Sequence, residues 1–205
     1  MPRYDSKIFQ LLHMFSEYLF LNLLYLAACI PIITVGPATV AMHAAVRAIG
    51  EQEAWFPVFR QQFRSSFRTA AIGGMLLLVS IASLGYGLGF LIFSGQSGSP
   101  LTMLAGIALF FVLGISSLFF LFYSRFSCTL GMLLRNAMLV FLAYPLRGIA
   151  NALLTWMPLL LAVLLPITFL HMMMIWLLVY FTISAVVRQI LYKKPFDQIA
   201  EQNRR

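Results

Sequence analysis

Four long apolar runs constrain this chain more than any other feature of its sequence. They are Tyr18–Val35, Ala70–Phe93, Leu101–Tyr123 and Leu153–Val187. Because a helix rises about 1.5 Å per residue, about 20 apolar residues cross the hydrocarbon core of a bilayer. Charged residues form only 10% of the 205-residue chain, whereas soluble domains carry roughly 25%. We therefore expect residues 1–205 to form one integral membrane domain, an all-α polytopic membrane helical bundle.

The last apolar run is too long for a single crossing. Pro166 and the polar pair Thr168 and His171 lie in its middle and indicate a turn there. We therefore predict two helices from this run, Asn151–Pro166 and Leu170–Leu191.

The segment Gly36–Gly50 leaves the number of membrane helices open. Thr34, Gly36 and Pro37 predict a turn at its start, with a helix cap and a proline in the first helical turn. The helix that follows is short for a crossing, although Arg47 can extend its reach by snorkelling to the interface. If it crosses, six helices form three hairpins. If it lies on the surface, there are five crossings.

The distribution of positive charge favours six helices. The 14 lysine and arginine residues give a net charge of +8, but none lies in the turns Pro31–Pro37, Ser94–Pro100 and Pro166–His171. Six crossings place all 14 cations and both termini in the cytoplasm, as the positive-inside rule requires. We attribute the charge to contact with the lipid bilayer and expect no nucleic-acid partner. An amphipathic cytoplasmic segment precedes each predicted hairpin, namely Tyr4–His13, Pro57–Arg68 and Gly131–Ile149.

The second of these segments carries two adjacent stripes of side chains. Phenylalanines recur every four residues, and arginines follow each of them one residue later. On a helix this spacing puts rings on one face and guanidinium groups beside them. Such a helix either lies in the membrane interface or docks onto a partner, since arginine and aromatic residues dominate binding hot spots. The candidate docking residues are Phe59, Arg60, Phe63, Arg64, Phe67 and Arg68.

The sequence contains few residues in patterns typical of catalytic or metal-binding sites. Of its six acidic residues, only Glu17 approaches a membrane helix, and it forms an i,i+4 pair with His13. Ion-coupled carriers usually place carboxylates at membrane depth, and no predicted mid-helix position holds one. Three histidines and two cysteines match no metal-ligand spacing, and no nucleotide-binding or catalytic motif is recognisable. We expect no enzyme activity, no metal and no cofactor.

Small residues are frequent in the second apolar run. Gly85 and Gly89 form a small-xxx-small pair, a pattern that lets membrane helices pack closely.

The residues of the first hairpin resemble a known family. Asn22-Leu23-Leu24, the stretch Pro31–Ala38, Ala41 and Arg47 are similar to the opening of the YesL family of bacterial membrane proteins, a domain of unknown function. The segment Phe59–Arg68 resembles that family's FxxxF stretch. The later chain, including Arg135-Asn136-Ala137, is compatible over most of its length.

The resemblance implies a multi-pass protein of the bacterial inner (cytoplasmic) membrane. Members of the family are often encoded beside importers and enzymes for plant carbohydrates. The expected function is a non-enzymatic accessory membrane subunit that binds the permease subunits of a carbohydrate (plant oligosaccharide) ABC importer. The alternatives are a self-contained membrane transporter or channel, and a membrane enzyme. A transporter needs a polar pathway, and the predicted helices offer few residues for one: Asn22, Ser80, Ser83, Ser116, Ser117, Asn151 and Thr155.

Overall fold

A computed structural model of the chain describes the backbone of residues 7–126 and 129–202. Every regular element in these two ranges is a helix, which confirms the predicted all-α class. Part of the predicted segment Tyr4–His13 and Cys128 lie outside the described residues. In order, the elements are α1 (Lys7–Ala28), a 3-10 turn (Ile32–Thr34), α2 (Val35–Gly50), α3 (Trp55–Phe93), α4 (Pro100–Tyr123), α5 (Leu130–Ala143), α6 (Pro145–Leu164), α7 (Pro166–Ile175), a π segment (Trp176–Tyr180) and α8 (Phe181–Gln202).

Three helical stretches of the described chain are long and apolar enough to cross a membrane. They are Ile32–Gly50, Trp55–Phe93 and Pro100–Tyr123. A fourth stretch qualifies if Leu130–Ala143 and Pro145–Pro158 act together, although the two are bent by 111° against each other. By length and composition, three or four helical stretches of the described chain could therefore cross a membrane, fewer than the six predicted.

The first predicted span is interrupted. Helix α1 ends at Ala28, and a 3-10 turn leads directly into α2, so Tyr18–Val35 is not one continuous helix. Thr34 does not cap α2 as expected. Its hydroxyl lies 2.6 Å from the carbonyl oxygen of Ala28 and 2.5 Å from that of Pro31, and it therefore ties the turn back to the end of α1. Pro37 sits in the first turn of α2, as predicted.

Helix α3 joins two features that the sequence suggested separately. The segment Pro57–Arg68 and the apolar run Ala70–Phe93 form one continuous helix of 39 residues. At 1.5 Å per residue it is about 58 Å long, whereas the hydrocarbon core is about 30 Å thick. The phenylalanine–arginine segment is therefore an extension of a membrane-capable helix and not a separate helix before it.

The second half of the chain bends twice. The predicted segment Gly131–Ile149 is divided at Tyr144, where α5 ends and Pro145 begins α6. The predicted turn at Pro166–His171 is wrong, because these residues are helical in α7. The break lies at Leu165, between the end of α6 and Pro166.

A π segment interrupts the helix that runs from α7 into α8, and Asn22 of α1 lies against it. The Asn22 Nδ2 donates to the carbonyl of Leu177 at 2.5 Å. Its Oδ1 accepts from the backbone N–H of Thr182 at 3.2 Å and from the Thr182 hydroxyl at 3.1 Å. A side chain that enters the backbone ladder in this way stabilises a local break in a helix. Asn22 is fully buried and so fixes α1 to α8.

Helix α2 is the interior helix of the bundle. It contacts α1, α3, α4 and α8, and 67% of its membrane-capable window is buried inside the protein. Two apolar clusters flank it and share α8. One joins α1, α2, α3 and α8 through Leu21, Tyr25, Met42, Phe59 and Ala185. The other joins α4, α5, α6 and α8 through Phe119, Phe122, Leu133, Phe141, Ala152, Tyr192 and Phe196.

Glycine allows α2 and α3 to touch backbone to backbone. A Cβ on Gly36 would lie 2.1 Å from the carbonyl oxygen of Ala70, and a Cβ on Gly74 would lie 3.0 Å from the Cα of Gly36. The predicted small-residue pair Gly85 and Gly89 does not pack in this way, because a Cβ on either would meet no atom of the chain within 4 Å. On α3, the small residues that bring helices together are Gly73 and Gly74, about three to four turns before the expected pair.

Replacing Gly36 with alanine is expected to lower the melting temperature of the detergent-purified protein. The added methyl group would displace the backbone of α3, and overpacking of this kind typically costs about 1–3 kcal/mol. Gly85→Ala is the matched control. It adds the same methyl group in open space and should leave the melting temperature unchanged or raise it, because alanine favours helix over glycine. Equal melting temperatures for the two variants would contradict the α2–α3 contact.

Candidate functional site

A guanidinium group lies inside the helical bundle. Arg188 of α8 is only 8% exposed, and no acidic side chain among the described residues forms an ion pair with it. It donates instead to neutral oxygens of three side chains. Its Nε donates to Asn151 Oδ1 at 3.0 Å, its Nη2 to the Thr155 hydroxyl at 3.1 Å and its Nη1 to the Ser184 hydroxyl at 3.4 Å. A buried charge with no counterion is costly, and these bonds reduce that cost.

Asn151 connects the guanidinium group to a third helix. While its oxygen accepts from Arg188, its Nδ2 donates to the Ser117 hydroxyl at 2.6 Å and to the carbonyl of Gly114 at 3.0 Å. Its own backbone carbonyl accepts from Thr155 at 2.9 Å. Asn151 is completely buried. The network therefore fastens α4, α6 and α8 together and leaves the Asn151 amide with a partner for every polar atom.

A second ionisable side chain lies near the network. His43 of α2 is 1% exposed, and neither of its ring nitrogens has a hydrogen-bond partner among the described residues. Its backbone carbonyl accepts from Gln189 Nε2 at 2.5 Å. Because Gln189 follows Arg188 on α8, this bond places α2 directly against the segment that carries the buried guanidinium.

The C-terminal ends of α2 and α4, the middle of α8 and Tyr18 of α1 surround a cavity of about 390 Å³ with mixed charge. Its charged lining residues are Arg47, Glu51, Arg125, Lys193 and Asp197. Arg47 donates to the carbonyl of Ser124 at 3.3 Å. We call this space the charged cavity.

Two arginines approach each other in the charged cavity. The Arg125 guanidinium lies 4.9 Å from the centre of the Phe196 ring, a cation–π arrangement that fixes its direction. Burial, and next the nearby Arg47 charge, lowers the pKa of Arg125, while Asp197 and Glu51 act in the opposite direction. The like charges of Arg47 and Arg125 therefore oppose each other in this cavity.

The phenylalanine–arginine segment is divided between the core and the surface. Phe59 is buried and Phe63 packs against the same apolar cluster, so these two rings hold α3 to α2. Arg60, Arg64, Phe67 and Arg68 are exposed. Arg60 and Arg64 also line an open groove of about 710 Å³, together with Phe56, Pro57, Gln61 and Ser65. Of the six candidate docking residues, the four exposed ones remain available to a partner.

The predicted pair of His13 and Glu17 is present on α1, where His13 Nδ1 lies 3.7 Å from Glu17 Oε2. Among the described residues, no three His, Cys, Asp or Glu side chains are grouped as metal ligands.

The sequence alone indicates only some of the residues of the buried network. Ser117, Asn151 and Thr155 stood out as polar residues in apolar helices, but their convergence depends on how α4 and α6 pack. Arg188 is one of the 14 cations that the charge distribution assigns to the cytoplasmic side, whereas the structure buries it inside the bundle. Its spacing of four from Ser184 is a local signal of an inward polar face.

Comparison with known proteins covers only the first part of the chain. Residues 18–88 match the family described as "Protein of unknown function, DUF624". No curated protein and no solved structure matches the chain. The matched residues run from α1 through α2 into α3, and so contain the Gly36–Gly74 contact and the phenylalanine–arginine segment. The structure and the match together define an all-helical protein with membrane-capable helices, similar over about a third of its length to a family of unknown function.

Replacing Asn151 with alanine is expected to destabilise the bundle. The change removes the oxygen that accepts from the Arg188 guanidinium and the N–H group that donates to Ser117 and Gly114. Leaving a buried polar group unsatisfied costs about 1–3 kcal/mol, and more if the group is charged. Asn136 of α5 is exposed and provides the matched control, since Asn136→Ala should leave stability within about 0.5 kcal/mol of the wild type. Thermal unfolding in one detergent compares the two. If Asn151→Ala is as stable as the wild type, Asn151 does not hold α4, α6 and α8 together.

Proposed function

We propose that this chain is a non-enzymatic accessory subunit of the bacterial cytoplasmic membrane that binds the permease subunits of a carbohydrate ABC importer. The observation that carries the proposal is the exposed arginine face of α3. Arg60 and Arg64 stand side by side along an open groove with Phe56, and arginine beside an aromatic ring is the composition of binding hot spots.

The rest of α3 presents an apolar surface that suits contact with other membrane helices. Beyond Gly74 the helix is largely exposed, with Tyr86 at 80%, Phe90 at 64% and Phe93 at 92%. In a bilayer this surface contacts lipid or the helices of a permease. A partner that contacts α3 along its length would meet the arginine face at one end and the apolar face at the other.

The use of the internal polar groups supports a binding role over a self-contained transporter or channel. A transport pathway needs polar side chains that are free to meet a substrate. Here Asn22, Ser117, Asn151, Thr155 and Thr182 all form hydrogen bonds within the bundle. Their partners are other groups of the protein, so they act as clamps between helices.

We propose a carbohydrate importer as the partner because the chain resembles the YesL family. The match to a family of unknown function lies over the same residues, 18–88. The substrate class therefore rests on the genomic setting of that family, and the arginine face of α3 supplies the proposed contact.

For the topology we infer six membrane helices with both termini in the cytoplasm. The 3-10 turn extends α2 to the 19-residue stretch Ile32–Gly50, which is long and apolar enough to cross. This length supports a returning second helix. The turn at residues 94–99 between α3 and α4 holds no lysine or arginine, whereas the C-terminal ends of α2 and α4 and the middle of α8 carry several.

The double variant Arg60→Glu and Arg64→Glu is expected to lose its partner while it still inserts and folds. The change reverses the charge of an exposed face and touches no buried contact. The measurement is affinity purification of the tagged chain in mild detergent from cells grown on an inducing sugar, with recovery of permease subunits by mass spectrometry. We expect at least about a tenfold loss, equivalent to about 1.4 kcal/mol of binding energy.

Arg135→Glu with Lys194→Glu is the matched control. Both residues are exposed and lie away from α3, and the pair changes the net charge by the same amount. This variant should recover permease like the wild type. Absence of any permease from the wild-type sample would defeat the proposal, and sugar uptake by the purified chain alone in liposomes would favour a transporter.

A further inference from the structure

The charged cavity contains cations and carboxylates that do not neutralise one another directly. Arg47, Arg125 and Lys193 line it together with Glu51 and Asp197. Among the described residues no ion pair closer than 4 Å joins any of these groups. Surface ion pairs contribute little to stability, so these charged groups can bind a ligand without breaking a strong internal pair.

The two arginines of the charged cavity are less exposed than its other charged groups. Arg47 and Arg125 are half-buried, whereas Glu51, Lys193 and Asp197 are exposed at the rim. Both arginines line the same cavity, where Arg47 donates to a backbone carbonyl and Arg125 lies over an aromatic ring. Convergent arginines are the preferred recognition element for phosphate, because each guanidinium donates two parallel hydrogen bonds. The carboxylates at the rim suit a positively charged group attached to that phosphate.

The cavity lies at the ends of two helices that are long and apolar enough to cross a membrane, which is where an interface is expected. Gly50 ends α2 and Tyr123 ends α4, and both helices belong to stretches long and apolar enough to cross. Beside the charged groups the lining includes Val46, Val186 and the exposed Ile190. An apolar wall next to charged groups at a helix end is the setting that a phospholipid occupies, with its headgroup among charges and its chains against apolar side chains.

We propose that the charged cavity binds the zwitterionic phosphoethanolamine headgroup of a membrane phospholipid. Arg47 and Arg125 hold the phosphate, and Glu51 and Asp197 hold the ammonium group. The cavity volume of about 390 Å³ falls in the usual range for small-ligand sites, about 300–1,000 Å³. The bound headgroup relieves the repulsion between the two arginines and joins the ends of α2 and α4 to the middle of α8. This inference is independent of permease binding.

The test adds defined lipids to the full-length chain in detergent and measures thermal unfolding and lipid affinity. The probes are phosphatidylethanolamine, phosphatidylglycerol, which has the phosphate but no amine, and soluble glycerophosphoethanolamine, which has the headgroup without acyl chains. We expect phosphatidylethanolamine to raise the melting temperature more than the other two. An equal effect of phosphatidylglycerol would overturn the role of the carboxylates. An equal effect of the soluble compound would overturn the assignment to a lipid.

Two double variants separate the parts of the site. Arg47→Gln with Arg125→Gln should weaken phosphatidylethanolamine at least about tenfold, because charge-assisted hydrogen bonds are lost. Glu51→Gln with Asp197→Asn changes only exposed rim residues and should remove the preference for phosphatidylethanolamine over phosphatidylglycerol, even if the arginine variant fails to fold. Arg135→Gln, outside the cavity, should bind like the wild type. An unchanged lipid preference in the rim variant would overturn the proposal.

Discussion

The close approach of α2 and α3 is the constraint on which the rest of this structure depends. Gly36 and the backbone around Ala70 and Gly74 meet with no space for a side chain. This contact draws α2 into the interior, where α1, α4 and α8 complete its enclosure. In a bilayer, where lipid is as apolar as the helices, such van der Waals contact replaces the hydrophobic effect as a force that joins helices. The turn fixed by Thr34 sets the angle at which α2 arrives.

Around α2, buried polar side chains link the helices of the bundle by hydrogen bonds. Arg188 carries a full charge among neutral partners, and Asn151 links it to α4. Asn22 makes the equivalent link between α1 and the π segment before α8. Helix α8 therefore receives polar clamps from both sides of the bundle, while its apolar residues belong to both clusters. Asn22, Asn151 and Arg188 are thus used to link helices, whereas the surface of α3 and the charged cavity present charged groups to a partner or a ligand.

The predictable part of this structure is the part that local composition determines. Apolar length predicted α4 and the second half of α3, and Pro166 located the break before α7. The four-residue spacing of phenylalanine and arginine correctly predicted a helix, but not that Phe59 turns inward, because that depends on the packing of α2 against α3. The buried network was not predictable either. Arg188 and Asn151 are 37 residues apart, and only the tertiary fold reveals that a cation near the chain end lies inside the bundle.

We propose that α2 returns through the membrane inside the bundle, which would put both termini on the side of the arginine face. The direct measurement is labelling of a single cysteine by a membrane-impermeant maleimide in intact cells, with Cys29 and Cys128 replaced by serine. Ser97→Cys, between α3 and α4, faces outward whether there are five or six crossings and serves as the positive control. The account predicts that Arg3→Cys is protected until the membrane is opened. Labelling of Arg3→Cys as fast as Ser97→Cys would contradict it and place the N-terminus outside.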